Sequence, residues 1–226
     1  MLFRSNLVNG DDYTFIVNAS NAVGTGAASS PSNGVTPRTV PSAPIVTRTV
    51  AGAGEVTIDW SPGSNGGSPI TSFVVSAQSG GAQCATSSAT STQCTISGLT
   101  NGRGYTMEVV AVNVAGTGAP SVPSAITIPR TVPGPPTITK RVMKNGKVVL
   151  SWKAPSKNGG SKVIGYAVYV GVKSHHESAR RVNAKLVESR SFAWRTKKGV
   201  HLFFNIKAVN IAGVGSASNE VSIRTK

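Results

Sequence analysis

No stretch of this 226-residue chain repeats apolar residues at helical spacing, and no apolar run reaches membrane-spanning length. Helical bundles and bilayer-crossing helices are therefore excluded as readings of the sequence. Groups able to do chemistry are scarce as well, with 8 Asp and Glu, 3 His and 2 Cys. The few carboxylates fall on outward-facing strand positions or in loops, and no pair is placed for acid–base work. No Gly-x-Ser-x-Gly elbow occurs. His175 and His176 are adjacent and diverge on a strand, and His201 stands alone, so the three or four converging ligands of a zinc site are not expected. These shortages predict a chain with no catalytic residues, no metal and no cofactor. The opening Met1–Val8 also lacks the apolar segment and small-residue cleavage site of a secretory leader.

What the chain has in excess is positive charge, and in one place only. The formal net charge is +15. Residues 1–41 and 42–132 are each neutral, whereas the last 94 residues carry 18 Lys and Arg against Glu177, Glu188 and Glu220. Such asymmetry bears on partners and solubility rather than on fold.

The other excess is self-similarity. Tyr13-Thr-Phe15-Ile-Val17-Asn-Ala19-Ser-Asn21-Ala-Val-Gly24-Thr-Gly26 returns as Tyr105-Thr-Met107-Glu-Val109-Val-Ala111-Val-Asn113-Val-Ala-Gly116-Thr-Gly118. A third copy runs Leu202-Phe-Phe204-Asn-Ile206-Lys-Ala208-Val-Asn210-Ile-Ala-Gly213-Val-Gly215. The spacings of 92 (Tyr13 to Tyr105) and 97 (Asn113 to Asn210) are those of whole domains, since solenoid repeats are shorter. Pro37-Arg-Thr-Val-Pro41 and Pro129-Arg-Thr-Val-Pro133 are identical linkers, stiffened by their prolines. Between the linkers, Glu55-Val-Thr-Ile-Asp-Trp60 alternates as a half-buried strand, and Ser61–Pro69 is a turn-rich loop. Further strands are predicted over Thr71–Gln78, Thr92–Ser97, Tyr105–Asn113 and Val122–Ile128. Short strands with no helix between them indicate antiparallel sandwiches. Gly24-Thr-Gly26 and its copies precede a strand rather than a helix, so they read as hairpin turns and not as phosphate loops.

The middle period resembles a fibronectin type III domain of the bacterial extracellular kind. The residues that carry the resemblance are Trp60, Asn65-Gly-Gly-Ser-Pro-Ile70 with Phe73, Leu99-Thr-Asn-Gly-Arg-Gly-Tyr105, Ala111-x-Asn113 and Gly116-x-Gly118. It implies an all-β fold of tandem seven-stranded antiparallel immunoglobulin-like sandwiches, with a tyrosine corner built on Tyr105. The expected organisation is a partial module at 1–37 holding only the last two strands, a full module at 42–130, and a divergent basic module at 134–226. The last module keeps Trp152, Asn158-Gly-Gly160, Tyr166 and Asn210, but Leu202 replaces the corner tyrosine. Its corner is expected to be rebuilt around Phe192, Trp194 and Phe204. The partial first copy suggests a piece of a longer protein.

In this layout Cys84 and Cys94 fall on segments expected to pair as neighbouring strands, and a disulfide between them would add roughly 3 kcal/mol. The alternative is two reduced, buried thiols. A disulfide implies an oxidising compartment, and with the resemblance it places the chain outside the cell or on its surface. Asn101-Gly102-Arg103 reads as a turn rather than an adhesion tripeptide. The functional lead is the basic module, whose Arg180, Arg181, Lys185, Arg190, Arg195, Lys197 and Lys198 surround Trp194 and Phe192 in sequence. They form a candidate patch for an anionic polysaccharide or cell-wall polymer, with nucleic acid as the weaker expectation; the competing reading is a solvated face. The expected role is a non-catalytic extracellular spacer and binding array, without membrane insertion and linked to neighbouring domains. The alternatives are accessory modules of an extracellular polysaccharide-degrading enzyme, or virion decoration.

Overall fold

A computed structural model describes residues 6–88, 90–174 and 179–225. Among them all regular structure is β, with no helix. The chain divides into two compact units. One takes the chain up to Val50 together with Val56–Ser97 and Tyr105–Thr127; the other takes Ala51–Glu55, Gly98–Gly104 and the chain from Ile128 onward.

The strands in chain order begin with the short hairpin β1 (Ser20–Asn21) and β2 (Gly24–Thr25). Next come β3 (Ile45–Ala51), β4 (Val56–Ser61), β5 (Ile70–Ala77), β6 (Gln83–Thr86), β7 (Gln93–Ile96), β8 (Met107–Asn113) and β9 (Gly116–Thr117). These pair as two sheets, in the orders β3-β4-β7 and β6-β5-β8-β9. Alternation decides which side chains meet between the sheets. Val56, Ile58 and Trp60 from one sheet and Phe73, Val75, Met107, Val109 and Ala111 from the other are all buried. Trp60 and Phe73 lie with ring centroids 5.3 Å apart. Each Val, Ile, Phe or Met among them contributes about 1.5–3 kcal/mol on burial.

The linker is part of the fold. Asn113 is 4% exposed, and its amide nitrogen donates to the carbonyls of Thr39 and Asn65, both at 2.8 Å. Its amide oxygen accepts from the Ala115 N–H at 2.8 Å. One side chain thus joins the linker, the Asn65-Gly-Gly loop and the turn after β8. Thr39 closes the arrangement by donating its N–H to the Gly66 carbonyl at 2.8 Å. In the first copy Asn21 is exposed, and its side chain accepts the turn bonds from Val23 and Gly24.

The two glycines of Gly116-Thr-Gly118 answer different needs. Gly116 has φ 133°, the positive region that glycine occupies readily. At Gly118 a Cβ would run into the Pro41 carbonyl oxygen, so this glycine lets the linker approach. The hairpin-turn expectation thus accounts for the first glycine, and close packing of the linker for the second.

The expected strand at Val122–Ile128 is absent apart from a bridge between Tyr105 and Thr127. Pro120 and Pro123 have no N–H to give, and serines complete the edge instead. Ser121 N–H donates to the Val109 carbonyl while its hydroxyl accepts from the Val109 N–H, and Ser124 does the same with Met107. Ser29 and Ser32 repeat this on Val17 and Phe15, and Ser218 on Ile206.

Cys84 and Cys94 are joined as a disulfide with Cα atoms 6.4 Å apart. They are not on paired strands, contrary to expectation. Cys84 on β6 pairs with Val75 of β5, and Cys94 on β7 pairs with Ile58 of β4. β6 and β7 are edge strands of opposite sheets, so the bond staples the open side of the sandwich.

The basic region repeats the plan with β10 (Thr137–Lys144), β11 (Lys147–Lys153), β12 (Gly165–Gly171), β13 (Arg180–Arg181), β14 (Ser191–Arg195), β15 (His201–Asn210), β16 (Gly213–Ala217) and β17 (Val221–Arg224). The sheets are β10-β11-β14 and β13-β12-β15-β16, with β17 also pairing with β15. Val148, Leu150, Trp152, Val168, Val170, Leu202, Phe204 and Ile206 are buried between them. Asn210 repeats the linker bonds, donating to the carbonyls of Thr131 and Asn158, each at 2.9 Å.

Asn113→Ala should destabilise the fold by about 0.5–1.5 kcal/mol for each of the two hydrogen bonds it removes from the linker and loop carbonyls. Asn21→Ala, at an exposed site, should leave the urea midpoint close to wild type. Cys94→Ser should cost roughly 3 kcal/mol, the loop-closure value for so short a ring, and the loss should match that of wild type measured in reductant.

Candidate anion-binding surface

Local structure decides how the seven basic side chains of the sequence-based patch are distributed. β13 is a short edge strand in which Arg180 is opposite Val170 and Arg181 is opposite Tyr169. Successive strand residues face opposite sides. Arg180 therefore shares the face of the buried Val170, at the rim of the core, and Arg181 shares the outer face with Tyr169. The Arg181 guanidinium donates to the Ala184 carbonyl at 3.5 Å, and Lys207 Nζ lies 5.3 Å from the centre of the Tyr169 ring. The pairing ends where the buried Asn183 side chain takes over. Its amide accepts from Val168 N–H at 2.8 Å and donates to the carbonyls of Tyr166 at 2.9 Å and Lys185 at 2.7 Å.

Along β14, residues alternate between the core and solvent. Phe192 opposite Leu150 and Trp194 opposite Val148 turn toward the core and are half-buried. The flanking arginines are exposed at the two ends of the strand, Arg190 next to Trp152 and Arg195 opposite Lys147. Five positions of extended chain separate them by about 16 Å. Arg190 and Lys185 therefore belong to the end of the sandwich near Tyr166. Burial holds the Tyr166 hydroxyl above the usual phenol range, and the positive charge of Arg190 works against that shift.

Arg180, Arg195 and Lys197 come together at the other end. They line a cavity of about 510 Å³ whose apolar wall is Trp194, Val200 and Leu202. It adjoins a second hollow of about 250 Å³ lined by Val170, Gly171, Val172, Arg180, Trp194 and Leu202. Among the described residues neither lining contains a carboxylate. The turn carrying Lys197 and Lys198 is held by Thr225, which is 4% exposed. The Thr225 hydroxyl donates to the Lys197 carbonyl at 2.8 Å, its N–H donates to the Val200 carbonyl at 2.9 Å, and its carbonyl accepts from Gly199 at 2.9 Å. Sequence reasoning missed Thr225 and Asn183, because a threonine near the end of a strand and a loop asparagine carry no pattern of their own.

Leu202, which lines both hollows, occupies the position of the corner tyrosine. In the first copy that corner is visible, with the Val8 N–H donating to Tyr13 Oη at 2.9 Å. In the middle copy the buried Tyr105 ring lies against Gly80 in the turn after β5. The shorter Leu202 stands at the same place on β15, and its hollow reaches the corresponding turn at Gly171 and Val172. Trp194, at the position of Ile96, packs edge-on against Phe204 with centroids 6.1 Å apart and covers part of the opening. Phe192 occupies the position of Cys94.

His201 is exposed at the start of β15, and His175 and His176 lie outside the described residues. Among the described residues no group of three or more His, Cys, Asp and Glu is gathered to hold a metal.

Comparison with known proteins agrees with this architecture. The fibronectin type III domain model matches residues 40–127. Myomesin-2 of Homo sapiens is 33% identical over 94% of this chain, exoglucanase B of Cellulomonas fimi 30% over 95%, and chitinase A1 of Niallia circulans 33% over 86%. The chain spans only 16%, 20% and 28% of the length of these three relatives. Residues 40–127 are a fibronectin type III domain, in a chain built of tandem antiparallel sandwiches of that fold.

Proposed function

We propose that this chain is a non-catalytic spacer and binding array of an extracellular or cell-surface protein of bacterial type. Its modules would be 1–37, 42–130 and 134–226, with the last contacting an anionic polysaccharide or cell-wall polymer. The observation that carries the reading is the gathering of Arg180, Arg195 and Lys197 around one cavity, with no carboxylate among its described lining residues, in the one third of the chain that carries net charge. The disulfide supports an oxidising location. The relatives support a modular role, since nearly the whole chain aligns with a small part of exoglucanase B. That same relationship favours a second reading, accessory modules of a polysaccharide-degrading enzyme, for which the polymer-binding surface would serve equally.

The full chain should be retained on immobilised polygalacturonate, with retention falling linearly against the logarithm of salt concentration. Reversal of Arg180, Arg181 and Lys185 to Glu should move elution to much lower salt, and adding Arg195→Glu and Lys197→Glu should abolish retention. A wild-type chain that passes unretained at low salt overturns the proposal.

A further inference from the structure

Charge alone does not account for the cavity at the end of β14. A face that served only solubility would spread its cations and need no hollow. Here three cations border an apolar floor formed by Trp194, Val200 and Leu202, and Leu202 stands where the middle domain has the buried Tyr105. The floor is also held in position. Trp194 is braced edge-on by the buried Phe204, and Thr225 ties down the turn that supplies Lys197 and Val200. Concave apolar sites with a few convergent polar groups are the usual form of small-ligand sites.

The chemistry narrows the occupant. An indole face and two aliphatic side chains accept the C–H face of a pyranose ring, and a guanidinium fork pairs with a carboxylate through two parallel hydrogen bonds. Single-stranded nucleic acid uses a different layout, a basic track with successive aromatic platforms on which bases stack. This cavity has one aromatic ring, so it offers no succession of stacking platforms. Building on the anionic-polymer reading above, we infer that the Trp194 cavity is a subsite for one hexuronic acid residue of an acidic polysaccharide. Trp194 and Leu202 would receive the sugar ring, and Arg180, Arg195 and Lys197 its carboxylate.

Fluorescence gives a direct test in the full chain. Trp60 and Trp152 are 2% and 3% exposed, so a ligand-dependent change in emission at constant fold reports on Trp194. Trigalacturonate should shift that emission saturably at near-physiological salt, and its methyl ester, which has the same ring without charge, should bind at least tenfold more weakly. Arg195→Ala with Lys197→Ala, both at exposed positions, should also weaken trigalacturonate at least tenfold while leaving the urea midpoint unchanged. Trp194→Leu should lose the emission change and the affinity together; retained affinity in that variant overturns the subsite. Polygalacturonate retention without any Trp194 response also overturns it, while leaving the broader charge-based reading standing. No retention at all removes both. Tighter binding of a thymidine decanucleotide with the same emission shift assigns the cavity to nucleic acid and overturns the uronate assignment.

Discussion

A buried amide without partners costs about 1–3 kcal/mol, and the side chains of Asn113 and Asn210 are 4% and 2% exposed. Asn113 and Asn210 solve that problem in the same way, each giving both amide hydrogens to one linker carbonyl and one loop carbonyl. The remaining features of the repeat follow from it. The Asn-Gly-Gly loop has to reach the amide, so Gly66 and Gly159 sit close under the Thr39 and Thr131 carbonyls, where a Cβ would collide. The second glycine of each Gly-x-Gly turn leaves room for the carbonyl of the linker's last proline, Pro41 in one unit and Pro133 in the other. The repeated sequence is thus the imprint of a linker being bolted down, more than of a strand being formed.

The same economy explains the serines. A proline-bearing edge cannot complete a ladder through its own N–H groups, and a serine that offers its N–H and hydroxyl oxygen to one partner residue restores both bonds. An edge built this way presents no regular row of backbone donors and acceptors. Such edges are poor templates for unwanted strand pairing, a useful property in a chain rich in exposed β-structure.

Departure from the repeat marks the candidate site. When tyrosine gives way to leucine at position 202, the sandwich loses a large ring at one end of its core. Tryptophan at 194 restores part of the volume but from the other sheet, leaving a hollow beside the edge strand. The cations around it come from three separate segments, β13, the end of β14 and the turn after it. The disulfide position is abandoned in the same rebuilding, because Phe192 stands where Cys94 is in the middle domain.

The sequence by itself determined the all-β class, the core faces at Val56, Ile58 and Trp60, the repeat length and the confinement of charge to one region. Each of these rests on local periodicity or on counting, and neither needs a partner strand to be known. Only the tertiary structure decided that Cys84 and Cys94 bridge opposite sheets, that Val122–Ile128 forms no regular strand, and that Arg195 and Arg190 face different ends of the sandwich. Those outcomes depend on which strands become neighbours and on where a missing ring leaves space. Loop closure and packing set both, between residues far apart in the chain, and no pattern within a short window encodes them.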